Sequence, residues 1–486
     1  MRLLVLLCVF LYYLVGVIRA APTTNTTNTT TSDIFKAPSF TTRTLWSIIS
    51  SSVLTLFACV YSAIHPNIPN PKHSGYPHTL WRQLGMMIMA LILPELIATW
   101  AMRQWFSAHQ VTRQFEKSGY PNVRPESEEM SSVKAPGNRF LRCILLPFVH
   151  IFLLLAKGVL SVPVSLLRVL CAPVMWVARR IKSEQSESDL EDYTWTQTHS
   201  FFVLMGGFML YVDGKPYLTL RPDYIVKLTR EGCIDVSTLT AKQIHDRSKG
   251  NAISKGSVIL QVAWFIIQLI TRAIYHLETT QLEMGTLAFA VLNFLTYAVW
   301  WNKPLDVQCP HPVYWKLTES MPEDHIENEL ARFGILAPVF RPVLELIGIP
   351  DIPTSRKLQV PTFDGSINLE DSDKNILQLA ALLMASTFGG IHFMALFYTS
   401  SPGRNQATLW SMSSFIIISV PFAYVQIYFM LPNRYLTPFF IVGFSLHALL
   451  YIVARACLLV LMFTTLRHLP PDAHIVVSWT SLVPHL

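Results

Sequence analysis

The stretch FFIVGFSLHALLYIVARACLLVLMFTTL, residues Phe439–Leu466, decides how this chain is read. A helix that crosses a bilayer needs about 20 mostly apolar residues, and this run supplies them. It also carries His447, Tyr451 and Arg455 at i, i+4 and i+8, a spacing that sets all three along one helix face. Leu45–Ile64, Met86–Met102, Val258–Ile274, Gly285–Trp301, Leu377–Tyr398 and Leu409–Leu431 are apolar runs of the same kind. With the apolar region Phe140–Val177 added, they predict an all-α fold, a polytopic transmembrane helical bundle of about 7–9 spans.

Composition agrees. Hydrophobic residues make up 51% of the 486 and charged residues 14%, with a formal net charge of +7. Soluble domains average about 25% charged residues. The small positive excess fits loops that face anionic lipid. It does not fit nucleic-acid binding, because no basic patch with interleaved aromatics is present.

At the start, Met1-Arg2, the apolar Leu3–Ile18 and Arg19-Ala20-Ala21 have the layout of a signal peptide, residues 1–20. The Thr/Asn-rich segment 21–43 is too polar to pack. Behind a leader it is expected to be exported, with Asn25 and Asn28 as glycosylation acceptors in Asn-x-Thr sequons. That route makes the plasma membrane the default destination. The 7 cysteines show no paired spacing, and neither a disulfide framework nor a zinc site is expected.

Segment 44–178 holds the first membrane helices. Polar stretches 179–256 and 302–374 flank a transmembrane hairpin, 257–301, so both belong on one side. Arg179, Arg180 and Lys182 assign that side to the cytosol. A three-helix membrane group, 375–466, and a tail, 467–486, complete the chain. The region after Leu45–Ile64 admits two topologies. Met86–Met102 either dips and returns, broken at Leu93-Pro94-Glu95, or crosses outright, with Phe140–Val177 then forming one long span and an interfacial helix. Within the cytosolic stretches, Phe201–Phe208 reads as a buried element against the membrane helices and Tyr217–Leu220 as a strand. Thr240 with Gln243 reads as the capping box of a helix over Leu239–Arg247.

Ionisable groups inside apolar runs are the candidate functional residues, because lipid makes them costly. They are Glu95, Arg272, His392, His447, Tyr451 and Arg455. One reading has Glu95, His392, His447 and Arg455 line a polar path or proton relay. The other has Glu95 pair with Arg272 or Arg455 to hold helices together. Trp300-Trp301 reads first as part of an aromatic belt. No nucleophile elbow, metalloprotease helix, phosphate-cradling loop or bis-haem histidine pattern occurs, so no cofactor is expected and an enzyme is disfavoured.

Several stretches resemble a large, functionally uncharacterised fungal family of multi-spanning membrane proteins that carry signal peptides. They are Leu45-Trp46-Ser47-Ile48-Ile49 with His65-Pro66-Asn67-Ile68-Pro69, Thr198–Phe202 with Met205–Phe208, Leu239–Gly250, and Thr286–Ala290 running to Trp300-Trp301-Asn302-Lys303-Pro304-Leu305-Asp306. The resemblance implies an architecture and no activity. Phe140–Val177 has no counterpart in it and reads as an insertion. Three functions stay open: transport or channel-like movement of a small solute, a membrane sensor or scaffold whose cytosolic segments bind proteins, and an accessory enzyme of lipid or secondary metabolism. The expected partners are the lipid bilayer and cytosolic proteins, with no nucleic acid.

Overall fold

The structure is a computed structural model that describes residues 40–70, 76–119, 195–234, 239–248, 252–316, 358–398, 404–430 and 438–477. The leader, Asn25, Asn28 and Phe140–Val177 lie outside the described residues.

Helices dominate. In chain order they are α1 (Leu45–Ala63), α2 (Tyr76–Ile92), α3 (Pro94–Ser118), α4 (Gln197–Leu204), α5 (Pro222–Arg230), α6 (Ala241–Arg247), α7 (Ala252–Ile274), α8 (Gln281–Val299), α9 (Asp371–Tyr398), α10 (Arg404–Met430) and α11 (Pro438–Thr464). The expectation of an all-α chain needs correction, because two small sheets are present. Strand β1 (Phe40–Thr42) pairs antiparallel with β5 (Ile475–Val477). Strand β2 (Phe208–Val212) pairs antiparallel with β3 (Lys215–Thr219) and parallel with β4 (His311–Tyr314). These strands come from the polar stretches, where backbone groups not used by a helix must find partners elsewhere.

Four helical stretches are long and apolar enough to cross a membrane: Leu45–Ser62, Gln281–Val299, Asp371–Phe397 and Leu446–Arg467. A fifth is added if Leu80–Ile92 and Pro94–Ser118 count as one span, but these two helices meet at 110°. Among the described residues the expected 7–9 spans are therefore not reached. Gln261–Ile274 is apolar but short, and α3 is a buried helix with polar turns rather than a second crossing. The sharp bend follows from chemistry at Leu93-Pro94-Glu95. Proline supplies no N–H and fits the first turn of a helix best, which agrees with α2 ending at Ile92 and α3 starting at Pro94.

Helix α8 is the hub of the bundle, buried along most of its length. Three of its polar side chains are satisfied within the helix: Thr286, Asn293 and Thr296 each donate to the carbonyl four residues earlier. The outer helices turn apolar side chains outward, among them Trp46 and Phe57 on α1, Trp81 on α2, Phe397 on α9, Phe415 on α10 and Val460 on α11.

Hydrogen bonds define two ends of this bundle. At one, Arg43 ahead of α1 forms a two-pronged pair with Glu283 in the first turn of α8, at 2.5 and 3.1 Å. Arg272 at the end of α7 donates there to the carbonyls of Glu278, Asp472, Ala473 and Ile475. The β1–β5 ribbon closes the same end. At the other, the loops after α1 and α8 meet the loop before α9, and the small α/β lobe built from α4, α5, α6 and the β2–β4 sheet docks on α3.

The lobe forms where the sequence suggests order. Thr240 and Gln243 make the reciprocal capping box at the start of α6. Phe201 and Phe202 are buried in α4. That helix ends at Leu204, ahead of Gly206, whose φ of +90° leaves the helical region, and Gly207 has no room for a Cβ against the Phe202 ring. At the head of α4, His199 Nδ1 accepts from the Thr196 backbone N–H at 3.1 Å and its Nε2 donates to the Leu239 carbonyl at 2.7 Å. Burial holds the His199 pKa below its ordinary value, which keeps the ring neutral and the cap intact.

Candidate functional site: a buried ion pair and an encaged lysine

Glu95 stands in the first turn of α3, directly after the break, and Arg455 lies in the second half of α11. Arg455 Nη2 donates to Glu95 Oε2 at 2.5 Å, and its Nε donates to the Tyr451 hydroxyl at 3.0 Å. The guanidinium carbon lies 3.7 Å from the centre of the Phe388 ring on α9. Both charges are buried, with 4% and 3% exposure.

His392 joins the cluster from the next turn of α9, stacked on Phe388 at 4.3 Å. Its Nδ1 lies 2.9 Å from the Phe388 carbonyl, which can only accept, so Nδ1 carries the proton and Nε2 presents a bare lone pair. Among the described residues Nε2 has no hydrogen-bond partner, and neither has Glu95 Oε1. Both orphan atoms are acceptors. What the cluster lacks is a donor, such as a proton or an O–H group. Buried orphans of this kind are uncommon and mark strain, chemistry or a missing small molecule.

The remaining sequence candidates fall elsewhere. Arg272 takes no part in this pair and is occupied by backbone carbonyls at the far end of α7. Tyr451 and Arg455 share the inward face of α11, but His447 is on its exposed side. The reason is arithmetic: an i, i+4, i+8 row drifts about 40° per step, and two steps carry His447 out of the interior.

A second polar centre escaped the sequence reading. Trp300, expected in an aromatic belt, is completely buried, and Lys303 three residues on is 2% exposed. Lys303 Nζ donates to the His65 carbonyl at 2.6 Å, to Gln104 Oε1 at 2.8 Å and to Asn67 Oδ1 at 3.3 Å. It lies 4.6 Å from the Trp300 ring centre and 5.0 Å from that of Trp100. The Asp364 carbonyl orders the same cage, accepting from the Asn67 amide at 2.9 Å and from Trp100 Nε1 at 3.1 Å. Gly365 lets that loop approach: its φ is +95°, and a Cβ there would meet the Leu204 carbonyl at 2.8 Å. Burial pulls the Lys303 pKa well below its ordinary value. Three acceptors for three N–H donors, and two aromatic faces, act in the opposite sense. Every hydrogen of the ammonium is used, so the cage holds segments together and has no valence left for a ligand. The available signal was His65-Pro66-Asn67 and Trp300-Trp301-Asn302-Lys303, two stretches of the resemblance that the fold brings into contact.

The ion pair is thus the centre with unused chemistry: a titratable carboxylate, a permanent cation, a phenol and an imidazole lone pair on three helices. Among the described residues no group of three His, Cys, Asp or Glu side chains is placed to hold a metal ion.

Comparison with known proteins gives a family without an activity. The model of a family of unknown function (DUF8562) matches residues 7–139 and 175–331, more than half of the chain, which therefore belongs to that family. The matched residues include Glu95, Lys303 and the five residues His65, Asn67, Trp100, Gln104 and Trp300 around it, but stop before His392 and Arg455. No curated protein and no solved structure matches the chain.

Proposed function

We propose that this member of a family of unknown function is an integral membrane protein that moves a small solute across the bilayer, with Glu95, Arg455 and His392 as its working centre. One observation carries the reading: a buried ion pair among packed helices, beside two acceptors that no group among the described residues satisfies. A charge at the centre of a bilayer costs at least about 2.5–3.5 kcal/mol, so a purely structural contact would be made more cheaply by apolar side chains. The outward-facing apolar side chains on α1, α2, α9, α10 and α11 support the bilayer as the surrounding solvent. The leader and the sequons at Asn25 and Asn28 support delivery through the secretory pathway, with the plasma membrane as destination.

The test is uptake from a mixture of small solutes into vesicles carrying the full chain, read by mass spectrometry. Wild-type vesicles accumulate at least one solute over empty vesicles. The double variant Glu95→Leu/Arg455→Met accumulates none, although it enters the vesicles and elutes as a folded species. Equal uptake by the double variant would refute the assignment.

A further inference from the structure

We infer that the solute is a small anion, loaded together with one proton; this rests on the transport reading above and names its substrate class. As it stands the centre is neutral: Arg455 contributes +1 and Glu95 −1, joined at 2.5 Å. An entering ligand must take the place of one member at the other, and the low dielectric penalises any state with a net charge.

The two choices are unequal. A cation that took Glu95 would leave the Arg455 charge buried with no counterpart, and arginine cannot release its proton. An anion that takes Arg455 displaces Glu95, and a carboxylate can be neutralised. A proton arriving at Glu95 Oε1 forms one O–H bond as the hydrogen bond from Arg455 passes to the anion. The loaded site then holds Arg455⁺, the anion and neutral Glu95, and its sum is zero again. The vacant acceptors fit this account. Glu95 Oε1 is free to take the proton, and His392 Nε2 has a lone pair that waits for a donor.

Position supports it as well. Glu95 sits in the first turn of α3, whose partial positive end favours a negative guest. The 110° bend at Leu93-Pro94 is where a rotation of α3 would withdraw Glu95 from Arg455. Arg455 would stay over Phe388. The ionisable groups against the pair are Tyr451 on α11 and His392 on α9. Helix α8 presents Phe289, and α10 presents Trp410, which donates to the His392 carbonyl. Among the described residues none of these supplies a second fixed charge that would change the balance.

The experiment uses the full chain in phosphatidylcholine vesicles, with radiolabelled lactate, phosphate and chloride as anionic probes and choline and rubidium as cationic ones. The expected result is accumulation of at least one anion, rising about tenfold for each pH unit of acid outside, because one proton accompanies each anion. Clamping the membrane potential with potassium and valinomycin leaves that uptake unchanged. Glu95→Gln, which stays neutral, exchanges the anion without responding to pH. If that variant does not assemble, the wild-type pH and voltage responses decide alone. Movement of a cation without an anion, or of an anion driven by voltage and indifferent to pH, overturns the inference and leaves the transport reading standing. Movement of no solute at all removes both.

Discussion

Arg455 and Lys303 are both buried cations in one protein, yet they are kept by opposite means. Arg455 has a charged partner, one hydroxyl and a ring face, and the cluster around it includes two unsatisfied acceptors. Lys303 has no carboxylate among its three hydrogen-bond partners, but all its donors are used. A site that is saturated can only hold. A site that is incomplete can accept something, and incompleteness in a buried place is expensive to keep without a use.

The largest effect should come from cutting the charged centre on one side. Arg455→Met strands a buried carboxylate and is expected to cost roughly 3–5 kcal/mol, seen as a large drop in thermal stability in detergent. Adding Glu95→Leu should recover most of that loss while uptake stays absent. If the double variant is no more stable than Arg455→Met, the two centres differ less than argued.

Lys303→Met should cost less despite deeper hydrogen bonding. It removes a desolvated charge at the same time as it orphans three neutral acceptors, for a net of about 1–3 kcal/mol by the same stability measurement. Uptake per folded molecule should not change. A loss of flux at full stability would move the working centre to the cage.

The smallest effect concerns the lobe. The folded state lowers the His199 pKa, so its contribution is fully present above the ordinary value of about 6.5 and is lost as pH falls from there toward the depressed value. Between pH 7.5 and 5 the wild type should lose stability relative to His199→Asn, by no more than about 1.4 kcal/mol per pH unit. Parallel curves for the two proteins would remove His199 from the account.

What could be read in advance followed from local chemistry. The long apolar helices, the break at Leu93-Pro94-Glu95, the cap at Thr240 and the shared face of Tyr451 and Arg455 in α11 are consequences of neighbours in sequence, whereas His447 falls outside that face. Among the described residues four or five spans are found instead of 7–9, in part because α3 is packed by the lobe and by other helices, and hydropathy cannot tell a protein interior from lipid. The choice of Arg455 over Arg272 as partner of Glu95 depends on which helix α3 meets, a matter of tertiary packing. The lysine cage draws on residues 65–67, 100–104, 300–303 and 364, four stretches whose meeting no local pattern announces.

The ribbon between β1 and β5 has a consequence for biosynthesis. Phe40 pairs with Val477, and Arg43 reaches the Ala473 carbonyl. The earliest described strand therefore has no partner until residues 475–477 have emerged from the ribosome. Until then Arg43 has Glu283 as a partner but lacks its second anchor, the Ala473 carbonyl. A chain stopped before residue 475 would lack β5 and leave Phe40–Thr42 without that strand as partner, so the head of α1 is pinned from the far end of the described residues.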